Sequence, residues 1–174
     1  GNHRMKNTVI LAACLAILSF ASIGTAFAQG AQVPFAGLAI GPNSTVEISA
    51  DSLTLDQKSG TAIFFGNVIV GIENMRLSAD SVEVIYQAGT DGGTGAIVGL
   101  IAKGNVVFSN GVEAAEGDVA NLDLEAGIII MTGNVILTQG QNALSGQTLR
   151  IDLNTGTAVI EGRVQTIFQT GASE

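Results

Sequence analysis

Three short stretches decide the fold: residues 46–53 read VEISADSL, residues 66–70 read GNVIV, and residues 79–84 read ADSVEV. In each of them, apolar side chains occupy alternate positions, which is the pattern of a β-strand with one buried face. The Gly-Asn pair that opens the second stretch is typical of a sharp change of direction. The sequence therefore predicts β-strands joined by glycine corners.

The same pattern returns in four copies along residues 51–164. In each copy an Asp, or Gln in the last, precedes a Gly by 15, 24, 15 and 15 residues. The four pairs are Asp51 and Gly66, Asp80 and Gly104, Asp118 and Gly133, and Gln147 and Gly162. The longer second spacing falls at the Gly-rich residues 89–95, which indicate an enlarged loop. Four in-register copies of one β unit predict an all-β solenoid, with each copy burying its apolar face on the next.

The recurring acid invites two interpretations. A row of carboxylates could bind a metal or act in acid catalysis, whereas a turn residue could cap a neighbouring backbone N–H. Recurrence at a repeat position favours the structural role, and Gln147 keeps the shape of the side chain without its charge. We therefore expect no catalytic residue, no metal site and no cofactor.

Residues 1–28 have the features of an export signal. Lys6 supplies a basic start, Val9 to Phe20 is almost wholly apolar, and Ala26 to Ala28 form a small-x-small cleavage pattern. We expect upstream residues and a signal peptide cleaved after Ala28. An uncleaved membrane anchor and a lipoprotein attached at Cys14 are the alternatives.

Cleavage would leave residues 29–174, which contain five basic and 15 acidic residues and neither His nor Cys. A disulfide, an imidazole base and a His/Cys metal site are therefore excluded in this part. The acidic balance argues against a nucleic-acid partner. We expect a flexible segment over residues 29–44, a β domain over 45–168 and a C-terminal tail over 169–174.

Several strands carry apolar residues on both faces, for example at 63–65, 106–108 and 135–137. One face must fill the core, and a second apolar face predicts a groove or burial by a partner. A groove would suit lipid tails, because each buried methylene contributes about 0.8 kcal/mol. The predicted lipid-binding residues on the inward face are Leu55, Val68, Val70, Val84, Val106, Phe108, Leu122, Val135, Leu137 and Ile151.

The two ends of such an array carry unpaired strand edges, which are templates for another chain. The first strand holds Val46 and Ile48, and the last apolar stretch holds Val164 and Ile167. Neither stretch contains Pro, and charge is scarce in both, so we predict end-to-end association through these residues. In the alternative interpretation, residues 29–44 and 169–174 cover the edges.

The quoted stretches, with the GNV motifs at 104–106 and 133–135, resemble the OstA-like domain of the LptA family of periplasmic lipopolysaccharide-transport proteins. The resemblance covers about residues 45–166. It implies an antiparallel β-jellyroll, open at both ends, which stacks head to tail into a homo-oligomeric bridge. The interior would carry the acyl chains of lipopolysaccharide from the inner to the outer membrane.

The resemblance also implies a periplasmic location and partners at both membranes. These would be an LptC-like inner-membrane complex and an LptD-like outer-membrane translocon, bound through the edge strands. Val46 and Ile48 would lie on the N-terminal edge strand. Val68, Val106, Phe108 and Val135 would lie on the inward face.

Two alternatives come from other classes of protein. An exported structural β-solenoid without a lipid ligand would have a dry interior filled by side chains. An exported parallel β-helix that cleaves glycans would need Asp, Lys or Arg clustered on one face, at positions unique to one or two coils. The sequence shows no such cluster.

Overall fold

The computed structural model describes residues 31–34, 44–56, 58–59, 61–88 and 94–169. The predicted export signal over 1–28, most of the predicted loop at 89–95 and most of the C-terminal tail lie outside these residues. No helix in the described ranges is long and apolar enough to cross a membrane.

Eleven strands make up this part of the chain, and every pairing between them is antiparallel. The strands are β1 (Ala31–Pro34), β2 (Val46–Ser49), β3 (Ser52–Asp56), β4 (Thr61–Ile72), β5 (Met75–Ala88), β6 (Thr94–Ser109), β7 (Glu113–Asp123), β8 (Ile128–Gln139), β9 (Asn142–Asp152), β10 (Thr157–Glu161) and β11 (Gln165–Ile167). They follow the order β1-β10-β9-β8-β7-β6-β5-β4-β2, while β3 also pairs with β4 and β11 with β9. The prediction of an all-β antiparallel jellyroll, open at both ends, is confirmed.

Each long strand from β4 to β9 contributes to two half-sheets, because its pairing shifts near the middle. The first half-sheet runs from β3, through one half of each long strand, to β10 and β1. The second half-sheet runs from β2, through the other halves, to β11. The apolar inner faces of both half-sheets contribute to one core cluster.

A bulge at a Gly-Asn corner produces the shift on β4. On β4, the two residues Gly66 and Asn67 lie between the neighbouring paired positions. On β5, the single residue Asp80 lies between the partners of those positions. Gly66 and Asn67 adopt positive φ angles, 79° and 45°, which few residues other than Gly and Asn tolerate. A β-bulge of this kind bends the strand and increases its twist.

An acid on a neighbouring strand or strand end holds three of the four corners. Asn67 Nδ2 donates to Asp51 Oδ2 at 2.9 Å, and Asn105 donates to Asp80 at 2.9 Å. The equivalent bond from Asn134 to Asp118 measures 3.2 Å. The structural role predicted for these acids is therefore observed, but the donor is a side-chain amide where a backbone N–H had been expected.

The fourth corner lies between β10 and β11. Gly162 and Arg163 have φ angles of 82° and 49°, and the Gln147 N–H donates to the Gly162 carbonyl at 3.1 Å. Gln147 takes the position of the acid, and a Cβ on Gly162 would lie under 3.0 Å from its side chain. The geometry of the corner thus survives without the carboxylate.

A second set of acids shapes the turns at the far end of the first half-sheet. Asp123 Oδ1 accepts from the backbone N–H of Ala126 at 2.8 Å, and Asp152 Oδ1 accepts from that of Asn154 at 2.9 Å. The N–H groups of Lys58 and then Ser59 donate to Asp56 and hold the pKa of this exposed carboxyl below its usual value. These three acids were not among the residues predicted from the sequence.

The N-terminal segment contains a strand where a flexible segment was expected over residues 29–44. Residues 31–34 form β1, which pairs with β10 from Ala31 opposite Ile160 to Pro34 opposite Thr157. Part of this segment therefore covers one edge of the sheet, as the alternative interpretation expected. The other expected cover was residues 169–174, of which 170–174 lie outside the described ranges.

Replacing Gly133 by Ala should destabilise the protein by about 1–3 kcal/mol, because a Cβ at φ 81° is strained and would lie under 3.0 Å from Asp118. The measurement is the free energy of unfolding in urea. Gly71→Ala is the matched control: no atom lies within 4 Å of its Cβ position, so stability should change by less than about 1 kcal/mol. Equal losses in the two variants would contradict the strain at the corner.

Candidate functional site

The interior of the jellyroll is wholly apolar in the part of the chain that the structure describes. Twenty-six hydrophobic residues are at most 7% exposed, and no described polar or charged residue is buried. No buried side-chain nitrogen or oxygen there lacks a hydrogen-bond partner. The polar groups instead occupy the corners, the turns and the outer face, so the interior offers only apolar contacts to a ligand.

Continuous rows of side chains cross the strands and build this interior. In the first half-sheet one row consists of Ala62, Val84, Leu100, Leu122, Ile129, Ile151 and Ala158, which pair in register. In the second half-sheet an equivalent row consists of Val70, Leu77, Phe108, Ala115, Leu137 and Leu144. Every member of both rows is buried, because alternate residues of a strand share one face.

The corners decide which residues of each strand point inward. On β8 the buried Met131 and Val135 are four residues apart, so the alternation continues across the Gly-Asn pair. On β9 the buried Leu144 and Leu149 are five residues apart, so the alternation is reversed there. At a bulge, two residues of one strand lie opposite a single residue of the partner strand. The alternation of inward and outward side chains can therefore continue through the bulge on only one of the two strands.

Nine of the ten predicted lipid-binding residues lie in this buried cluster. They are Val68, Val70, Val84, Val106, Phe108, Leu122, Val135, Leu137 and Ile151, all at most 3% exposed. The tenth, Leu55, pairs with Ala62 in an inner row but is 67% exposed, because β3 is an edge strand. The prediction missed Met131 and Leu149, although they alternate with the included Val135 and Ile151. It also missed Leu77, which lies on the other side of the register shift of β5 from Val84.

Apolar residues are also exposed at both ends of the sheet. On β3, Leu53 is 49% and Leu55 67% exposed, while Val46 and Ile48 on β2 are half-buried. At the other end, Ile167 is 66% exposed. The exposed apolar residues at that end are Val164, Ile167 and Phe168. The residues predicted for association therefore lie at the two ends of the array.

The outer face carries apolar residues as well, but polar neighbours separate them. Ile101 on β6 lies between Glu83 and Asn121, and Ile130 on β8 lies between Asn121 and Arg150. A cavity of about 450 Å³ on this face is lined in part by both isoleucines and by Arg150. Adjacent strands therefore break up the second apolar face at Ile101 and Ile130, while the groove or burial by a partner expected from such a face stays a prediction.

The described residues contain no group of three or more His, Cys, Asp or Glu side chains that could hold a metal ion. Asp51, Asp80 and Asp118 each bond to a different Asn at a separate corner. The site that the geometry offers is thus the apolar interior with its exposed ends.

Comparison with known proteins agrees with this geometry. Residues 47–157 match the family described as "LptA/(LptD N-terminal domain) LPS transport protein". The chain belongs to this lipopolysaccharide-transport family. A search among curated proteins found no match.

The fold of this family member is similar to that of a solved structure. It is LptH, described as the LptA homologous periplasmic component of the lipopolysaccharide transport device from Pseudomonas aeruginosa. The two superpose with a TM-score of 0.62 at 15% sequence identity, over 72% of this chain and 95% of that chain. At this identity the likeness establishes the fold alone.

Replacing Leu137 by Ala should destabilise the protein by about 2–5 kcal/mol, because the side chain is fully buried. Ile136→Ala, at the adjacent position, should cost about 1 kcal/mol or less, since Ile136 is 40% exposed on the outer face. Chemical denaturation of both variants tests the assignment of faces on β8. Equal losses would contradict it.

Proposed function

We propose that this chain is a periplasmic carrier of lipopolysaccharide that binds the acyl chains among the inner rows of the jellyroll. The wholly apolar interior is the observation that carries the proposal, because hydrocarbon needs no polar partner there. Membership of the lipopolysaccharide-transport family supports the same role. The chain contributes no catalytic group in this role and needs no cofactor.

The lipid-binding residues in this proposal are the ten predicted on the inward face. An acyl chain that buries ten methylenes would gain about 8 kcal/mol, which offsets the separation of packed side chains needed to admit it. Contact through hydrocarbon also suits a chain of net charge −8, because the tails are uncharged while the head group of this lipid is anionic. The head group would then stay outside the apolar interior.

The exposed ends supply the means of assembly. In the proposal, Val46 and Ile48 at one end meet Val164 and Ile167 of a second copy, which joins the open β edges head to tail. Terminal copies would meet an LptC-like protein at the inner membrane and an LptD-like protein at the outer membrane. Stacked copies would align their interiors into one apolar path.

A second candidate function rests on the packing of the interior. Side chains fill it without a lipid, since the core residues are at most 7% exposed. The cavity of about 450 Å³ lies on the outer face. This arrangement also fits a structural β-module without a ligand, in which the interior never opens.

Photo-crosslinking to lipopolysaccharide separates the two candidates. A photoreactive residue at Leu55 or Phe108 should capture the lipid, because both positions belong to inner rows. Leu55 is already exposed, so this variant should fold normally, and circular dichroism checks the fold of the Phe108 variant. Thr54 is the matched control: it is also exposed, but it pairs with Ile63 on the outer face.

Crosslinks at Leu55 and Phe108 without one at Thr54 would support the carrier. If neither inner position crosslinks while the variants remain folded, the carrier is wrong and the structural module is supported. Equal crosslinking at Leu55 and Thr54 would show that capture does not distinguish the faces, which also contradicts the proposed site.

A further inference from the structure

Strand β1 occupies one end of the first half-sheet in the same way that β3 occupies the other. On β3, Leu55 pairs with Ala62 and Asp56 with Thr61 of β4. On β1, Val33 pairs with Ala158 and Pro34 with Thr157 of β10. Both outer strands run antiparallel to the strand they cover.

The pairing of β1 with β10 and the pairing of β3 with β4 lie at the same level of the half-sheet. Ala62 and Ala158 are the first and last members of one inner row, which the intervening strands connect in register. Val33 therefore stands at the position on β10 that Leu55 has on β4. The backbone of β1 reproduces, at the far end of the half-sheet, the placement and direction of β3.

From this equivalence, we propose that β1 is an intramolecular cap that competes with a second copy of the chain. In the free chain, β1 occupies the edge of β10. In the head-to-tail assembly, β3 of a second copy takes that place, while its β2 meets β11. This inference rests on the head-to-tail part of the proposed function and adds to it the element that limits assembly.

The pairing of β1 is suited to being exchanged. It has four residues, one of them a proline, which has no backbone N–H to donate to a ladder. The competing strand β3 has five residues and carries Leu53 and Leu55, which are 49% and 67% exposed in the free chain. Exchange would cover these two leucines at the inner row of a neighbour, and burial of their apolar area favours the exchanged pairing.

The cap covers only one of the two half-sheets. On the second half-sheet, β11 pairs with β9 and with no other described strand. The three residues of β11 are all exposed. A second copy can therefore make its first contact at β11 while β1 is still in place, and displacement of β1 then completes the joint.

A disulfide that holds β1 on β10 tests the proposal. Gln32 and Val159 are directly opposite in the register, and Cα atoms of such pairs are close enough for a disulfide. The variant is Gln32→Cys with Val159→Cys, purified after expression of the full chain in a Cys14→Ser background, since Cys14 is the only native cysteine. Sedimentation velocity over a range of concentrations measures assembly in the oxidised and reduced forms.

We expect the oxidised variant to stay monomeric at concentrations at which the reduced variant assembles. Glu116→Cys with Ile136→Cys is the matched control, because this directly opposed pair joins β7 to β8 on the outer face, away from both ends of the sheet, and leaves β1 free. This control should assemble equally in both redox forms. A general effect of oxidation would reduce assembly of the two proteins alike and would overturn the proposal.

A second variant removes the cap without a disulfide. Val33→Pro places a second proline in β1, and its fixed φ and missing N–H should weaken the pairing with β10. The concentration for half-assembly should then fall about fivefold or more if the uncapped state holds about a fifth or less of the free chains. An unchanged midpoint, or equal assembly of the oxidised and reduced Gln32/Val159 variant, would overturn the cap. If no form assembles, the cap and the head-to-tail joint both fail, whereas lipid capture at Leu55 would still establish the carrier.

Discussion

The bend at each Gly-Asn corner is the constraint on which the rest of the jellyroll depends. Two consecutive residues with positive φ turn the strand, and at three corners a carboxylate accepts from the Asn side chain and holds the turned segment. Without the bend, the meander would be a single sheet with one face open to water. With it, the inner faces of both halves contribute to one apolar core.

The corners also explain where the charge of this protein lies. Asp51, Asp80 and Asp118 are exposed and bonded at the bends, and Asp56, Asp123 and Asp152 accept from backbone N–H groups at the turns. Acidic residues are therefore used for local geometry at the bends and turns, on the exposed side of the chain. No described polar residue is buried in the interior, so an acidic chain keeps an uncharged centre.

The sequence allowed the strands and most of the inner face to be predicted, because alternation is a local signal. It indicated Val135 and Leu137 directly, since β8 keeps its phase through the bulge. It did not reveal that the alternation of inward and outward side chains on β9 reverses between Leu144 and Leu149. That reversal is set by the extra residue in the bulge of the partner strand β8. For the same reason Ile130 could not be recognised as a residue with polar cross-strand neighbours, Asn121 and Arg150.

The pairing of β1 with β10 joins residues more than 120 positions apart. Other pairings of the described strands join residues at most 33 positions apart, as with Arg76 and Ser109. Pairings between residues close in sequence form early. The β1–β10 pairing costs more chain entropy, because it closes a loop of more than 120 residues. Since β10 must also exist before β1 can join it, every newly made molecule passes through a period in which its C-terminal edge is bare. The order of folding itself thus gives each chain an interval in which the edge of β10 is open to another strand before β1 closes it.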